Sequence, residues 1–289
     1  MKKVSVVIPN YKKHPLIKYL PAVIKACPQA EIIVADDASP DDTVSYLKTH
    51  FPKVKVVSHK TNQRFAITCN TGIKAAQGDI VVLINSDVAP KKNFLKPLIK
   101  HFQDSKVFAV GCLEIEHKQG KRKISGRNKC QFKRGFLIHS AAKITNLNQT
   151  VSNCWAPGGS MALDRKKYLQ IGGMDPIYKP AYWEDIDLSW QARKKGWQIL
   201  FEPKSQVYHN HETTNVSVFG KKKMELMAFR NQFLFVWKNI RGRQLLEHFL
   251  WLPYHFVFTA IRTQGIFLIA FIQALGKIKQ IKPLSRRLI

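Results

Sequence analysis

Asp79-Ile80-Val81-Val82-Leu83-Ile84-Asn85-Ser86-Asp87 is the stretch that decides the fold. Five apolar residues, four of them β-branched, precede a polar triplet that ends in a carboxylate. Such a run reads as a buried strand, and its end places an oxygen ligand at the rim of a sheet. Oxygen ligands of this kind suit Mg²⁺ or Mn²⁺. A second reading makes Asp87 the cap of a helix begun near Pro90, and this strand alone leaves the two evenly matched.

The preceding residues repeat the arrangement. Val4 to Ile8, Glu31 to Ala35 and Val54 to Val57 are strand-like, while 14–26, 41–50 and 65–77 show helical spacing. Asp41-Asp42-Thr43 supplies capping chemistry to the second helix. Strand and helix in alternation predict βαβ units and a mostly parallel sheet, with ligands beyond the carboxyl ends of its strands. One such end, Ala35-Asp36-Asp37-Ala38-Ser39, offers a carboxylate to the imide N–H of a pyrimidine, or else forms an ordinary turn.

Two later segments carry further chemistry. Tyr182-Trp183-Glu184-Asp185-Ile186-Asp187-Leu188 opens a helix with three acids in its first turn. They serve either as partners of the helix dipole or as an acceptor pocket, in which crowding keeps one acid basic enough to take a proton. His209 and His211 follow the strand-like Ser205-Gln206-Val207-Tyr208 and are candidate metal ligands through neutral imidazole, or simply solvated.

Charge separates this chain from an ordinary globular protein. Among 289 residues, 47 Lys and Arg face 19 Asp and Glu, a net charge of +28, which predicts an anionic partner. Apolar content of 45% is ordinary and suits a real core. The five cysteines, Cys27, Cys69, Cys112, Cys130 and Cys154, contain no CxxC pair and point to neither a zinc site nor a redox dithiol. A reducing compartment is the simpler expectation. The apolar run after Met1-Lys2-Lys3 is too short for a signal peptide and reads as a first strand.

Lys118 to Arg134 carries eight basic residues and reads as an exposed hairpin or loop. From Phe249 to Leu275 large apolar residues dominate, interrupted by Pro253, His255, Arg262, Gln264 and Gly265. Arg262 near the centre argues against a spanning helix. Two interfacial helices flanked by Arg241, Arg243, Lys277, Lys279, Lys282, Arg286 and Arg287 fit better, and basic flanks favour anionic lipid. The competing expectation is a helical pair packed on the catalytic domain or on a second subunit, as in a homodimer.

Taken together, Ser5-Val6-Val7-Ile8-Pro9-Asn10-Tyr11, Ile33-Val34-Ala35-Asp36-Asp37-Ala38-Ser39, Asn70-Thr71-Gly72 with Gly78-Asp79-Ile80, and Asn85-Ser86-Asp87 resemble family-2 glycosyltransferases of the GT-A fold. Gly172-Gly173-Met174-Asp175, Glu184-Asp185-Ile186-Asp187-Leu188 and His209 extend the resemblance over about residues 4–212, nearest to a rhamnosyltransferase-like branch. The implied fold is α/β: a Rossmann-like, mostly parallel central sheet flanked by helices, with a C-terminal helical, membrane-associating extension. The implied division is a catalytic domain over 1–215, with a nucleotide-binding half to about 115 and an acceptor half from 116, followed by an extension over 216–289.

By the same resemblance Pro9, Tyr11, Asp36 and Arg64 line the nucleotide site, with Arg64 standing where many relatives have glycine. Asp87 is the last acid of the family's DxD motif and holds a divalent metal, Mg or Mn. Asn85 replaces the motif's first acid, and His209 resembles an additional metal ligand. Asp185 resembles the catalytic base, with Glu184 beside it. Trp155, Gly158, Gly159 and Trp183 are candidates for an acceptor wall, since glycines allow close approach and indoles offer sugars a flat face, though each is equally readable as turn or core. The implied reaction is one inverting displacement from a nucleotide diphosphate sugar to a hydroxyl of a glycan or polyprenyl-linked acceptor, in cell-surface polysaccharide synthesis. The enzyme would sit in the cytoplasm, peripheral on the inner face of the cell membrane.

Two rivals remain. A sugar nucleotidyltransferase also uses strand-end carboxylates, but Pro9-Asn10-Tyr11-Lys12-Lys13 is no glycine-rich phosphate loop. A nucleic-acid-binding protein explains the charge but not acids gathered at strand ends, so no nucleic acid is expected.

Overall fold

A computed structural model describes residues 2–118, 120–209 and 219–281. The first half alternates as the sequence pattern requires: β1 (Val4–Asn10), α1 (Lys13–Ala26), β2 (Glu31–Asp36), α2 (Thr43–His50), β3 (Lys55–Ser58), α3 (Phe65–Ala75) and β4 (Ile80–Ile84). There follow β5 (Val88–Pro90), α4 (Leu95–Ile99), β6 (Val107–Lys118), β7 (Lys121–Ser125), β8 (Asn128–Lys133), β9 (Phe136–Ala141), β10 (Val151–Ser152) and β11 (Ser160–Asp164). The rest is α5 (Arg165–Gln170), α6 (Glu184–Lys194), β12 (Gln198–His209), α7 (Lys221–Asn239), α8 (Gly242–Tyr254) and α9 (Ile266–Leu275).

Ten strands form one sheet in the order β10-β12-β6-β11-β4-β1-β2-β3, with β5 on β12 and β7 on β6. The strands β3, β2, β1 and β4 run parallel, as do β6 and β12. Between them β11 runs antiparallel to both β4 and β6. It is five residues long and follows directly on Gly158-Gly159, so the segment expected to face an acceptor leads into the middle of the sheet. All five residues of β4 are buried.

Alternation along β1 splits the core in two. Val6 and Ile8 pack with Leu16 and Leu20 of α1, while Val7 packs with Ile73 of α3 and Leu163 of β11. The second face is tight at one point: a Cβ on Gly72 would lie 2.4 Å from Val7 Cγ1, so only glycine lets α3 sit this close.

Within the basic stretch, 121–125 form the second strand of the β6–β7 hairpin and 128–133 form β8, which turns into β9. From 221 to 280 the chain is mostly helical. Pro253 lies inside α8 and cannot donate its backbone N–H, and a π turn follows at His255–Thr259 before the helix ends at Arg262. Gln264 and Gly265 then take positive φ and separate α9. Among the described residues, no helix is long and apolar enough to cross a membrane.

The cysteines behave differently from the sequence expectation. Cys130 of β8 and Cys154 are paired as a disulfide, 24 residues apart with Cα atoms at 5.9 Å. The pairing arises because residue 154 runs beside β8, its N–H donating to the Asn128 carbonyl at 3.3 Å. Spacing in the chain carries no trace of that adjacency. Cys27, Cys69 and Cys112 are buried, as apolar filler should be.

Candidate active site

The nucleotide and metal candidates sit at, or follow, the carboxyl ends of strands, while Gly158 and Gly159 lead into β11 and the acids open α6. On the nucleotide side Asn10 lies opposite Asp36 in the β1–β2 register. Asp36 is buried and accepts from Ser39 N at 2.9 Å and Asn10 Nδ2 at 3.2 Å. The oxygen of that amide, Asn10 Oδ1, is buried without a hydrogen-bond partner. Asp37 is more than a turn residue: it accepts from Gln63 N (2.7 Å), Arg64 N (2.8 Å) and His59 Nδ1 (2.9 Å), which fixes the 59–64 loop. Pro9 is buried below this rim, whereas Tyr11 and Arg64 are exposed at it.

The next strand end supplies the metal candidates. His209 pairs with Val88 across β5–β12, which sets its ring beside Asp87, Nε2 to Oδ1 at 3.3 Å. Nδ1 of the same ring faces Glu114 Oε1 at 3.4 Å. Burial alone would lower the His209 pKa, but the hydrogen bonds and charges of Asp87 and Glu114 raise it to about 10. Asn85 packs flat on Gly159, whose missing Cβ would meet Asn85 Nδ2 at 2.5 Å. Asn85 Oδ1 is buried and unpartnered. His211 lies outside the described residues.

Whether these residues suit a divalent cation can be tested on their chemistry. Among the described residues no three or more His, Cys, Asp and Glu gather as a cage. Glu114 is set behind His209, on its Nδ1 side, and so backs the ring without adding a ligand. What remains is a carboxylate, an imidazole nitrogen and, on the residue two before Asp87, an orphaned amide oxygen. That partial N/O set fits Mg²⁺ or Mn²⁺ whose other positions are filled by phosphate oxygens and water.

The acids open α6. Tyr182 and Trp183 precede them with φ of 68° and 82°, a left-handed conformation costly for aromatic residues and concentrated at functional sites. Asp185 accepts from Gly158 N at 3.2 Å and from Ile186 N at 2.8 Å. Burial raises Asp185 to about 6, against the lowering pull of those N–H groups. Burial, with the neighbouring Asp185 charge, raises Glu184 to about 8. Asp187 plays another part, buried against Tyr178, Asn239 and Lys238.

Two consecutive glycines therefore join the halves of the site. Gly158 binds Asp185, and Gly159 backs Asn85 on the segment that carries Asp87. Trp155 is half-buried beside them. Trp183 is only 3% exposed, its ring among His139 and Phe235, so it supports the wall from behind. Tyr182, 46% exposed, is the aromatic that faces outward. Of the two aromatics beside the acids, the sequence singles out Trp183 rather than Tyr182 for the wall, and Glu114 is not among its candidates. A lone acid inside the apolar run Val107–Ile115 was the available signal for the latter.

A sequence profile of Glycosyl transferase family 2 matches residues 5–172, more than half of the chain. The chain belongs to glycosyl transferase family 2. A family relative, the pre-mycofactocin glycosyltransferase of Mycobacterium tuberculosis, is 26% identical over 190 residues, 63% of this chain and 38% of its own length. The O-antigen chain rhamnosyltransferase of Salmonella anatum is 23% identical over 186 residues, 64% of this chain and 58% of the relative. The chain thus spans well under two-thirds of the length of these curated relatives. In structure it is similar to GalNAc-T7, solved with UDP, GalNAc and Mn²⁺, with a TM-score of 0.64 at 17% identity. That match covers 98% of this chain and 58% of GalNAc-T7, and it shows the fold to be GT-A.

Proposed function

We propose that this family-2 chain is an inverting, metal-dependent glycosyltransferase that moves a sugar from a nucleotide diphosphate donor to a hydroxyl of a glycan or polyprenyl-linked acceptor. The observation that carries the reading is the Gly158-Gly159 bridge, which ties a carboxylate of raised pKa to the strand end bearing Asn85 and Asp87. Asp36 and the free Asn10 Oδ1 offer acceptors to N–H groups of the base, and exposed Tyr11 offers it a stacking face. Asp87, His209 and Asn85 would hold Mg²⁺ or Mn²⁺, which supplies positive charge to the departing diphosphate. Similarity to a fold neighbour solved with UDP and Mn²⁺ supports that assignment.

Asp185 takes the proton of the acceptor hydroxyl as its oxygen attacks the anomeric carbon. A pKa near 6 keeps it ionised at neutral pH yet basic enough to work, and the Gly158 N–H fixes its aim. Glu184, raised to about 8, enters neutral solution largely protonated and leaves the base role to its neighbour. A single displacement inverts the anomeric configuration.

The functional division we favour keeps the donor half at about 1–115 and the acceptor half at 116–215, with 216–289 as a helical unit that completes the acceptor half. That unit presents Leu250 (71% exposed), Ile261 (75%), Ile272 (65%) and Phe258 (61%), and the exposed cations Arg241, Arg243 and Arg262 lie on the same helices and their connections. Apolar side chains accompanied by cations match an anionic lipid surface, which supports peripheral binding at the membrane face where nucleotide sugars are supplied and a polysaccharide is begun.

The deciding experiment is a thermal-shift and product-release screen of nucleotide sugars with Mn²⁺ or with EDTA. One donor should stabilise the protein only with metal and release nucleoside diphosphate. Asp87→Ala should abolish the metal effect. Metal-independent binding left intact in Asp87→Ala would sink the assignment.

A further inference from the structure

Glu114 is an acid with a side chain only 12% exposed that the proposed chemistry does not use. It stands inside β6 between Leu113 and Ile115, which are 0% and 1% exposed. A carboxylate in such surroundings persists only when its oxygens are partnered. Its Oε1 accepts from Ser160 Oγ at 2.6 Å and faces His209 Nδ1 at 3.4 Å; its Oε2 accepts from Ser125 Oγ at 3.2 Å. Three further strands therefore meet on one side chain: β7 through Ser125, β11 through Ser160, and β12 through His209.

The imidazole is strung between two acids, Glu114 at Nδ1 and Asp87 at Nε2. With Nδ1–H facing a carboxylate, the proton that an arriving cation displaces is the one on Nε2, and the ring plane is held. We propose that Glu114 is a positioning residue: it fixes the tautomer and orientation of His209, so that Nε2 is presented to the divalent cation held with Asp87. Ser125 and Ser160 hold the carboxylate in turn. The inference rests on the metal reading above, and the experiment separates the two.

Mn²⁺ binding is measured by electron paramagnetic resonance with UDP as probe, and ¹⁴N coupling to the metal by its pulsed form, for wild type, Glu114→Ala, Glu114→Gln and His209→Ala. Wild type should show imidazole coupling, and His209→Ala should lose it. Glu114→Ala should bind Mn²⁺ roughly 10–100-fold more weakly with coupling reduced, the usual effect of removing such a partner. Glu114→Gln, whose amide oxygen still accepts from Nδ1–H but carries no charge, should lose a smaller, measurable amount, about two- to fivefold. Far-UV circular dichroism and the cooperativity of thermal unfolding should be unchanged in all, an outcome that general damage to the fold would not leave. Full Mn²⁺ affinity and unaltered coupling in Glu114→Ala would overturn the role. If that variant fails to fold, Mn²⁺ affinity in Glu114→Gln decides, and a value equal to wild type overturns it. Wild type lacking coupling, and so equal to His209→Ala, would instead overturn the metal reading itself.

Discussion

Tyr182 and Trp183 hold their strained backbone directly ahead of two acids whose protonation differs from that of free carboxylates. Asp185→Asn keeps the shape but cannot take a proton, so turnover should fall by roughly two to four orders of magnitude while donor affinity holds. In the wild type the acid limb of kcat/KM should lie near pH 6, with activity lost as pH falls through it, because the base must be ionised. Glu184 has the opposite bearing on stability. Its folded pKa, about 8, exceeds the ordinary 4.5, so the folded state binds the extra proton and stability declines as pH rises between those values. Glu184→Gln should therefore raise the Tm more at pH 8 than at pH 5, as calorimetry at both would show. Asp87, Asp185 and Asn85 were legible because acids and amides at strand and helix ends stand out in sequence. Tyr182 and Trp183 were not, since which of two adjacent aromatics points outward depends on two φ angles.

At the level of elements, α7 holds the acceptor side in shape. Asn231 Nδ2 donates to the carbonyls of Tyr178, Ala181 and Tyr182, at 2.9–3.0 Å, and Arg230 reaches the Lys179 carbonyl at 2.6 Å. In its last turn Lys238 is buried between Asp175, at 2.8 Å, and Asp187 of α6. Lys238→Met would leave two buried carboxylates without their cation and should cost about 3–5 kcal/mol in denaturant unfolding, the usual penalty of a broken buried pair. A loss under 1 kcal/mol would show that the helix is not held this way. The alternating elements of the first half were readable because each run buries one periodic face. The role of α7 was not, because basic and apolar residues dominate its sequence and nothing in it marks Asn231 or Lys238. What matters there is which of them meet the 178–187 segment, far away in sequence.

For the molecule as a whole, charge and apolar exposure coincide in the C-terminal helices. Full-length protein should sediment with anionic vesicles, bind neutral ones more weakly and be partly released by high salt. The double variant Leu250→Glu, Ile261→Glu should lose vesicle binding and keep nucleotide binding. Retention in the supernatant with anionic vesicles, together with a dimer in sedimentation, would make this face a contact between copies. Removing α8 and α9 should not leave a well-behaved catalytic core, because Leu252, Phe267 and Ala274 belong to the same apolar cluster as Phe233 and Trp183. The sequence located the helices and their interruption. It could not tell the face given to that cluster from the face left outside, since both are apolar.

The placement of the cysteines makes the chain a convenient host for reporter groups. Cys130 and Cys154 are joined, and burial drives Cys27 and Cys112 up to about 12 and Cys69 well above its ordinary value. Alkylating reagents attack thiolates, so the folded native protein is silent to maleimide dyes. One cysteine introduced at Ile261 or Leu250 then carries the sole label without any other position being altered. Its emission colour and its quenching by lipid-borne spin labels give the depth of each helix in a bilayer, residue by residue.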